Sequence, residues 1–140
     1  MKTTGYKNVD KAKPDECLAS KIMKSHRIMN GIFRKHLQSF GITNPQLTIL
    51  FILSKRESAT QTELGNLLFL EKSSVSRNMR HLTSTGLISR ANHTHLKIED
   101  KGLQLLEEVI PAWNKAMDET KDILGMDGMF ALDTLIDKLT

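Results

Sequence analysis

The sequence predicts a mainly α-helical protein with one small β-hairpin. Apolar residues recur at helical spacing through most of the chain. Gly41, Gly86 and Gly125 close successive helical stretches. Only Leu87–Arg90 and His95–Ile98 read as short strands, joined by Ala91–Thr94.

The first 13 residues carry Lys2, Lys7, Lys11 and Lys13 against Asp10 and offer little to bury, which predicts a loose basic leader. Pro14 introduces a helix over about Asp15–Ser39, with Leu18, Ile22, Met29, Ile32, Phe33 and Leu37 on its apolar side. Asn44-Pro45 reads as a cap followed by proline in the first turn. The Leu47–Leu53 stretch behind it is apolar on nearly every side, the mark of a central core helix. Thr60-Gln61-Thr62-Glu63 matches a capping box and opens a short helix with Leu64, Leu67 and Leu68 inward. Phe69-Leu70-Glu71 turns the chain into a helix over about Lys72–Thr85, and the hairpin follows. A long helix over about Asp100–Asp122 contains Pro111, which predicts a kink. Beyond Gly125, Asp127 opens a last apolar helix.

At 140 residues, with 39% hydrophobic and 26% charged residues, the chain is the size of one domain and can bury a core without cross-links. Cys17 is its one cysteine, so no intrachain disulfide and no CxxC metal or redox motif exists. No secretory apolar segment follows Met1, and the apolar run Ile49–Leu53 is far short of a membrane span. The reading is cytoplasmic, with no membrane partner. The net charge of +4 suits a polyanionic partner, and its placement is more telling than its size.

Between Lys72 and Lys97 every charged side chain is basic. On the helix there, Val75, Met79 and Leu82 form one stripe, leaving Ser73, Ser74, Ser76, Arg77, Arg80, His81 and Ser84 outside. A short capped helix, a tight turn, a second helix and a hairpin are the order of a winged helix-turn-helix, whose second helix enters the major groove. Short hydroxyls at a helix start allow close approach to phosphates, and arginines fork onto guanine edges or phosphates. Arg90 and Lys97 flank the hairpin.

These segments, in this order, resemble the MarR family of bacterial regulators. The resemblance is strongest from Thr60-Gln61-Thr62-Glu63-Leu64 through Ser73-Ser74-Val75-Ser76-Arg77 to Gly86-Leu87-Ile88, and Leu96–Gly102 is similar to the strand entering that family's long dimer helix. It implies a winged helix-turn-helix with N- and C-terminal dimerisation helices, over residues 15–40 and 100–140, around a reading head at 44–98, with residues 1–14 as a basic tail. It also implies a homodimer on a pseudo-palindromic operator in double-stranded DNA, acting as a repressor and answering to a small-molecule effector. The expected DNA contacts are Ser73, Ser74, Ser76, Arg77, Arg80, His81, Arg90 and Lys97. The chain departs from the family in its stub wing, Arg90–Lys97, which lacks an Asp-x-Arg pattern, and in Glu99, where the family often has a capping hydroxyl residue; Asp100 is the alternative cap.

The alternative reading is a winged-helix dimer that binds a protein partner and no longer reads DNA. Met29, Trp113 and Met117 are candidates to line an effector cavity, although such residues at helical spacing more often form core. Cys17 is read as a small apolar filler ahead of an oxidant sensor. His93 and His95 alternate on a strand, but without a thiolate or carboxylate they make an incomplete metal site. No metal and no cofactor is therefore expected. Nor is an enzyme: the sequence holds no Gly-rich phosphate loop, G-x-S-x-G or H-E-x-x-H.

Overall fold

The computed structural model describes residues 2–140. Its helices are α1 (Lys7–Lys11), α2 (Leu18–Leu37), α3 (Asn44–Ser54), α4 (Gln61–Leu68), α5 (Lys72–Ser84) and α6 (Asp100–Leu139), with strands β1 (Ala59–Thr60), β2 (Ile88–Arg90) and β3 (His95–Ile98). The chain divides into two compact units, one ending at Gly31 and one covering Ile32–Thr140.

In the first unit α1 stands within the basic leader, and none of its residues is buried. Asp10 organises the segment before it. Its carboxylate accepts the Thr4 N–H at 2.9 Å and the Thr4 hydroxyl at 2.8 Å, and these bonds lower its pKa. Pro14–Glu16 form a 3-10 turn, so α2 begins three residues later than the proline suggests.

The second unit is built around α3. Leu47, Ile49, Leu50 and Leu53 are fully buried there, as broad apolar coverage predicts. The cap of α3 is Thr43, one residue before the expected Asn44. Gln46 stands three residues after Thr43 and closes a capping box, which leaves Pro45 in the first turn without an amide to satisfy. The Thr60–Glu63 box at α4 forms as the sequence predicts, with bonds of 2.9 and 3.1 Å.

The hairpin acquires a third strand. β1 pairs antiparallel with β3 through Ala59↔Leu96 and Thr60↔His95, so β3 is central and the sheet order is β1-β3-β2. Two residues are too few to show an alternating pattern, and Thr60 already serves as the cap of α4.

The long helix α6 breaks at Gly125 as expected, but Pro111 does not interrupt it. Its backbone stays helical through Pro111 and leaves helical geometry only at Gly125, where φ is +66°. Pro111 and Glu107, whose carbonyl loses its usual donor, are both exposed, so water can serve that carbonyl without a break. Glu99 is the residue before the helix, but its side chain does not cap it; it accepts a hydrogen bond from the Ser89 hydroxyl across the wing. Near the other end of the unit, Glu119 takes Lys35 at 2.6 Å and lies 2.7 Å from His36 Nε2. The bonds from Lys35 first and His36 second hold the Glu119 carboxyl below its usual range.

Gly102 seats α6 against the wing. A Cβ there would press on the Leu87 carbonyl and stand 2.7 Å from Ile98 Cγ1. Because a backbone oxygen cannot swing aside, Gly102→Ala is expected to destabilise the chain by about 1–3 kcal/mol. Urea unfolding checks this. An unchanged midpoint would mean that the wing seat is soft. Among the described residues, no helix is long and apolar enough to cross a membrane.

Candidate nucleic-acid interface

The surface that carries the predicted site is built on α5. At 3.6 residues per turn, Val75, Met79 and Leu82 share one face, and they are 2%, 2% and 0% exposed. The opposite face holds Ser73, Arg77, Arg80 and Ser84 in one stripe, all exposed. Ser74 and Ser76 flank the stripe and are half-buried, while His81 is exposed at its edge. The helix opens at Glu71 without any side-chain cap, so no side chain occupies the free N–H groups of its first turn. They and the helix dipole favour an anion at the Ser73 end.

The side chains are partly pre-arranged. Arg77 Nη2 donates to Ser74 Oγ at 3.3 Å, which folds the guanidinium back over the first turn. Arg90 Nη1 donates to the His93 carbonyl at 3.1 Å, across the tip of the wing. Lys97 is exposed on β3, with Nζ 3.9 Å from Glu99. Arg80 and Arg90 come together on a cleft of about 260 Å³ between α5 and the sheet, which Gln61, Thr83 and Ser84 also line. His81 stands on another flank. It borders a separate cleft of about 320 Å³ with Phe40, Thr85, Leu87 and Lys101.

Several residues hold α5 in place. Lys101 Nζ donates to the Thr85 carbonyl at 2.7 Å, at the C-terminal end of the helix. Gln46 of α3 donates from Nε2 to Asn78 Oδ1 at 3.3 Å, in its middle. The turn from α4 runs through Phe69, a non-glycine residue at φ +52° whose ring is 80% exposed. Sequence reasoning placed Phe69 in this turn but missed its left-handed backbone, and it missed the roles of Lys101 and Gln46. The signal for Gln46 was present, because Thr43-x-x-Gln46 fits the capping-box spacing. Phe69 carries no such signal, since left-handed backbone is usually announced by glycine or asparagine.

The other candidates fall elsewhere. The Trp113 ring meets Phe51 edge-on, with centroids 5.3 Å apart, and both are half-buried. Met117 and, in the first unit, Met29 are also half-buried, and neither borders the two clefts above. Cys17 is exposed rather than packed as a filler, and bonds to Ser20 lower its thiol pKa. His95 Nδ1 is taken by Thr94 Oγ1 at 2.8 Å and Asn92 Oδ1 at 3.2 Å. Among the described residues, no group of three or more His, Cys, Asp or Glu is placed to hold a metal ion.

Comparison with known proteins agrees with this geometry. The family model described as "MarR family" matches residues 40–95. The fold is similar to that of BpsR from Bordetella bronchiseptica, at 15% identity and TM-score 0.82, covering 91% of this chain and 96% of that one. It is similar to the transcriptional repressor CouR bound to p-coumaroyl-CoA, at 20% identity and TM-score 0.80, covering 89% and 92%. A mutant MarR from E. coli complexed with operator DNA aligns at 19% identity and TM-score 0.76, covering 87% and 92%. No curated protein matches the chain. The stretch similar to the MarR family is thus residues 40–95, which carry the helix-turn-helix and the turn of the wing.

Proposed function

We propose that this chain is a cytoplasmic transcription regulator that reads double-stranded DNA with α5, as a homodimer on a pseudo-palindromic operator, and acts as a repressor. The observation that carries the reading is the two-faced α5. Its apolar stripe is buried, and its opposite stripe of Ser73, Arg77, Arg80 and Ser84 is exposed. The acid-free run from Lys72 to Lys97 around it attracts a polyanion. The function is binding, with no reaction. The DNA contacts proposed are Ser73, Ser74, Ser76, Arg77, Arg80 and His81 on the helix, with Arg90 and Lys97 on the wing.

The homodimer is supported by apolar surface left open in each unit. Leu18, Ile22, Met23 and Ile28 are exposed on α2, and Met126, Phe130, Ile136 and Leu139 are exposed at the end of α6. Patches of this kind mark interaction surfaces, and a second copy of the chain would cover them. Complexes such as CouR with p-coumaroyl-CoA support a small-molecule effector, for which Trp113 and Met117 remain the proposed lining in the second unit.

One observation favours the second reading, a protein-interaction module. The wing turns in the four residues Ala91–Thr94, leaving little to reach into a minor groove. The deciding experiment titrates a duplex selected by the protein from a random pool, at several salt concentrations, with the oligomeric state followed by light scattering. A dimer whose affinity falls steeply with salt is expected. Salt-insensitive or absent binding would favour the interaction module, and a monomer would overturn the homodimer.

A further inference from the structure

Gln46 is 9% exposed, and both ends of its amide are occupied. Oε1 accepts the Thr43 N–H at 3.2 Å, closing the cap of α3. Nε2 donates to Asn78 Oδ1 at 3.3 Å, on the half-buried flank of α5. Among the described residues, this is the one side-chain hydrogen bond between α3 and α5.

We propose that Gln46 is a positioning residue, which sets the rotation of α5 about its own axis through Asn78 and so aims the outward stripe of that helix. The inference rests on the DNA-reading role proposed above and assigns specificity to a residue that touches no DNA. The rest of the inner face of α5 is Val75, Met79 and Leu82. Apolar burial has no direction, and a flexible methionine in the middle of the stripe tolerates small rotations. A hydrogen bond is directional, and a buried amide that loses its partner is costly. The Gln46 amide is itself held by the backbone at Thr43, so it offers Asn78 a fixed reference point. Arg77 adjoins Asn78, and Arg80 lies two residues beyond it. A rotation that breaks the pair therefore swings the Arg80 guanidinium away from the position at which it meets a base edge. Contact with phosphate, which is spread along the whole duplex, is far less sensitive to such a turn.

The test uses the full chain, the duplex it selects from a random pool, and an unrelated duplex of equal length. Gln46→Met keeps the unbranched shape and removes the amide. Asn78→Ala removes the acceptor, leaves the α3 cap intact and puts a strong helix former on α5. Each change is expected to lower the preference for the selected duplex about tenfold, the scale of one hydrogen bond. Affinity for the unrelated duplex, and its salt dependence, should stay unchanged. The double variant should lose no more than the worse single one.

Additive losses would overturn the proposal. So would a loss in Asn78→Ala that Gln46→Met does not share, which would place Asn78 on the DNA itself. A parallel drop on both duplexes that follows the melting temperature would reduce the pair to plain stability. If the unmodified chain prefers no duplex, the DNA-reading assignment fails first, before any variant is made, and this proposal falls with it.

Discussion

Alanine at Arg77 or at Arg80 is expected to weaken binding to the selected duplex by about 10- to 100-fold, the effect of losing 1–3 kcal/mol of contact. Both side chains are exposed on the stripe opposite Val75, Met79 and Leu82, so their removal leaves the core untouched. The pattern of loss tells what each one touches. A guanidinium forked onto a base edge acts mainly on specificity, and its loss relaxes preference at one position. One resting on phosphate lowers affinity for every duplex and reduces the salt slope by roughly one. Arg77 must give up its 3.3 Å bond to Ser74 to reach outward, whereas Arg80 already borders the cleft shared with Arg90. Base reading is therefore expected of Arg80 and phosphate clamping of Arg77. Lysine at Arg80 should not restore specificity, because an ammonium cannot reproduce the planar fork. Lys115, exposed on α6, is the control whose alanine variant should bind as the parent does. Full retention of binding in the Arg77/Arg80 double variant would end the assignment of α5 as the reading helix.

The second large effect is on stability. Leu82→Ala is expected to cost about 2–5 kcal/mol, the range for emptying a fully enclosed leucine site. Leu82 is 0% exposed on the inner face of α5. Its carbonyl also accepts the Leu87 N–H at 3.0 Å, which fixes the turn into β2. The backbone bond survives the substitution, so the loss measures the cavity alone. At roughly 3 °C per kcal/mol for a chain of this size, the melting temperature should fall by about 6–15 °C. The comparison is made at one protein concentration, since dimerisation would stabilise the folded chain by mass action. Leu82→Met, which nearly conserves volume, should cost less than about 1.5 kcal/mol. Equal effects from the two changes would show that the site relaxes around the hole.

Much of this architecture could be read from residue patterns, because the helices are amphipathic and their caps are local. Val75, Met79 and Leu82 are spaced for one face and are buried together. Thr60 and Glu63 announce a capping box within four residues, and it forms. Gly41 is expected to end its helical stretch in left-handed backbone, and its φ is +67°. The misses share a physical cause, which is dependence on partners distant in sequence or on rare backbone geometry. Ala59 and Thr60 become a strand only because β3 offers them an edge. Asp100, expected as the alternative cap, is the first residue of α6 itself, and Glu99 before it is taken up by Ser89 across the wing. Asn78 looks like one more polar residue on a polar helix until α3 brings Gln46 beside it. Phe69 adopts a backbone region that its side chain disfavours, and only the closure of the α4–α5 turn reveals it.

The position of β3 between two neighbours changes what the stub wing can do. With β1 on one side and β2 on the other, the base of the hairpin is stiff sheet interior, and only the tip is left to move. That tip is also shaped in advance: the Asn92 side-chain oxygen accepts the Thr94 and His95 amides, both at 3.0 Å. A long flexible ribbon must be frozen when it settles beside a duplex, at a cost in chain entropy for each residue immobilised. This short, pre-folded knuckle has little freedom left to surrender, so it can compensate for part of the reach it lacks.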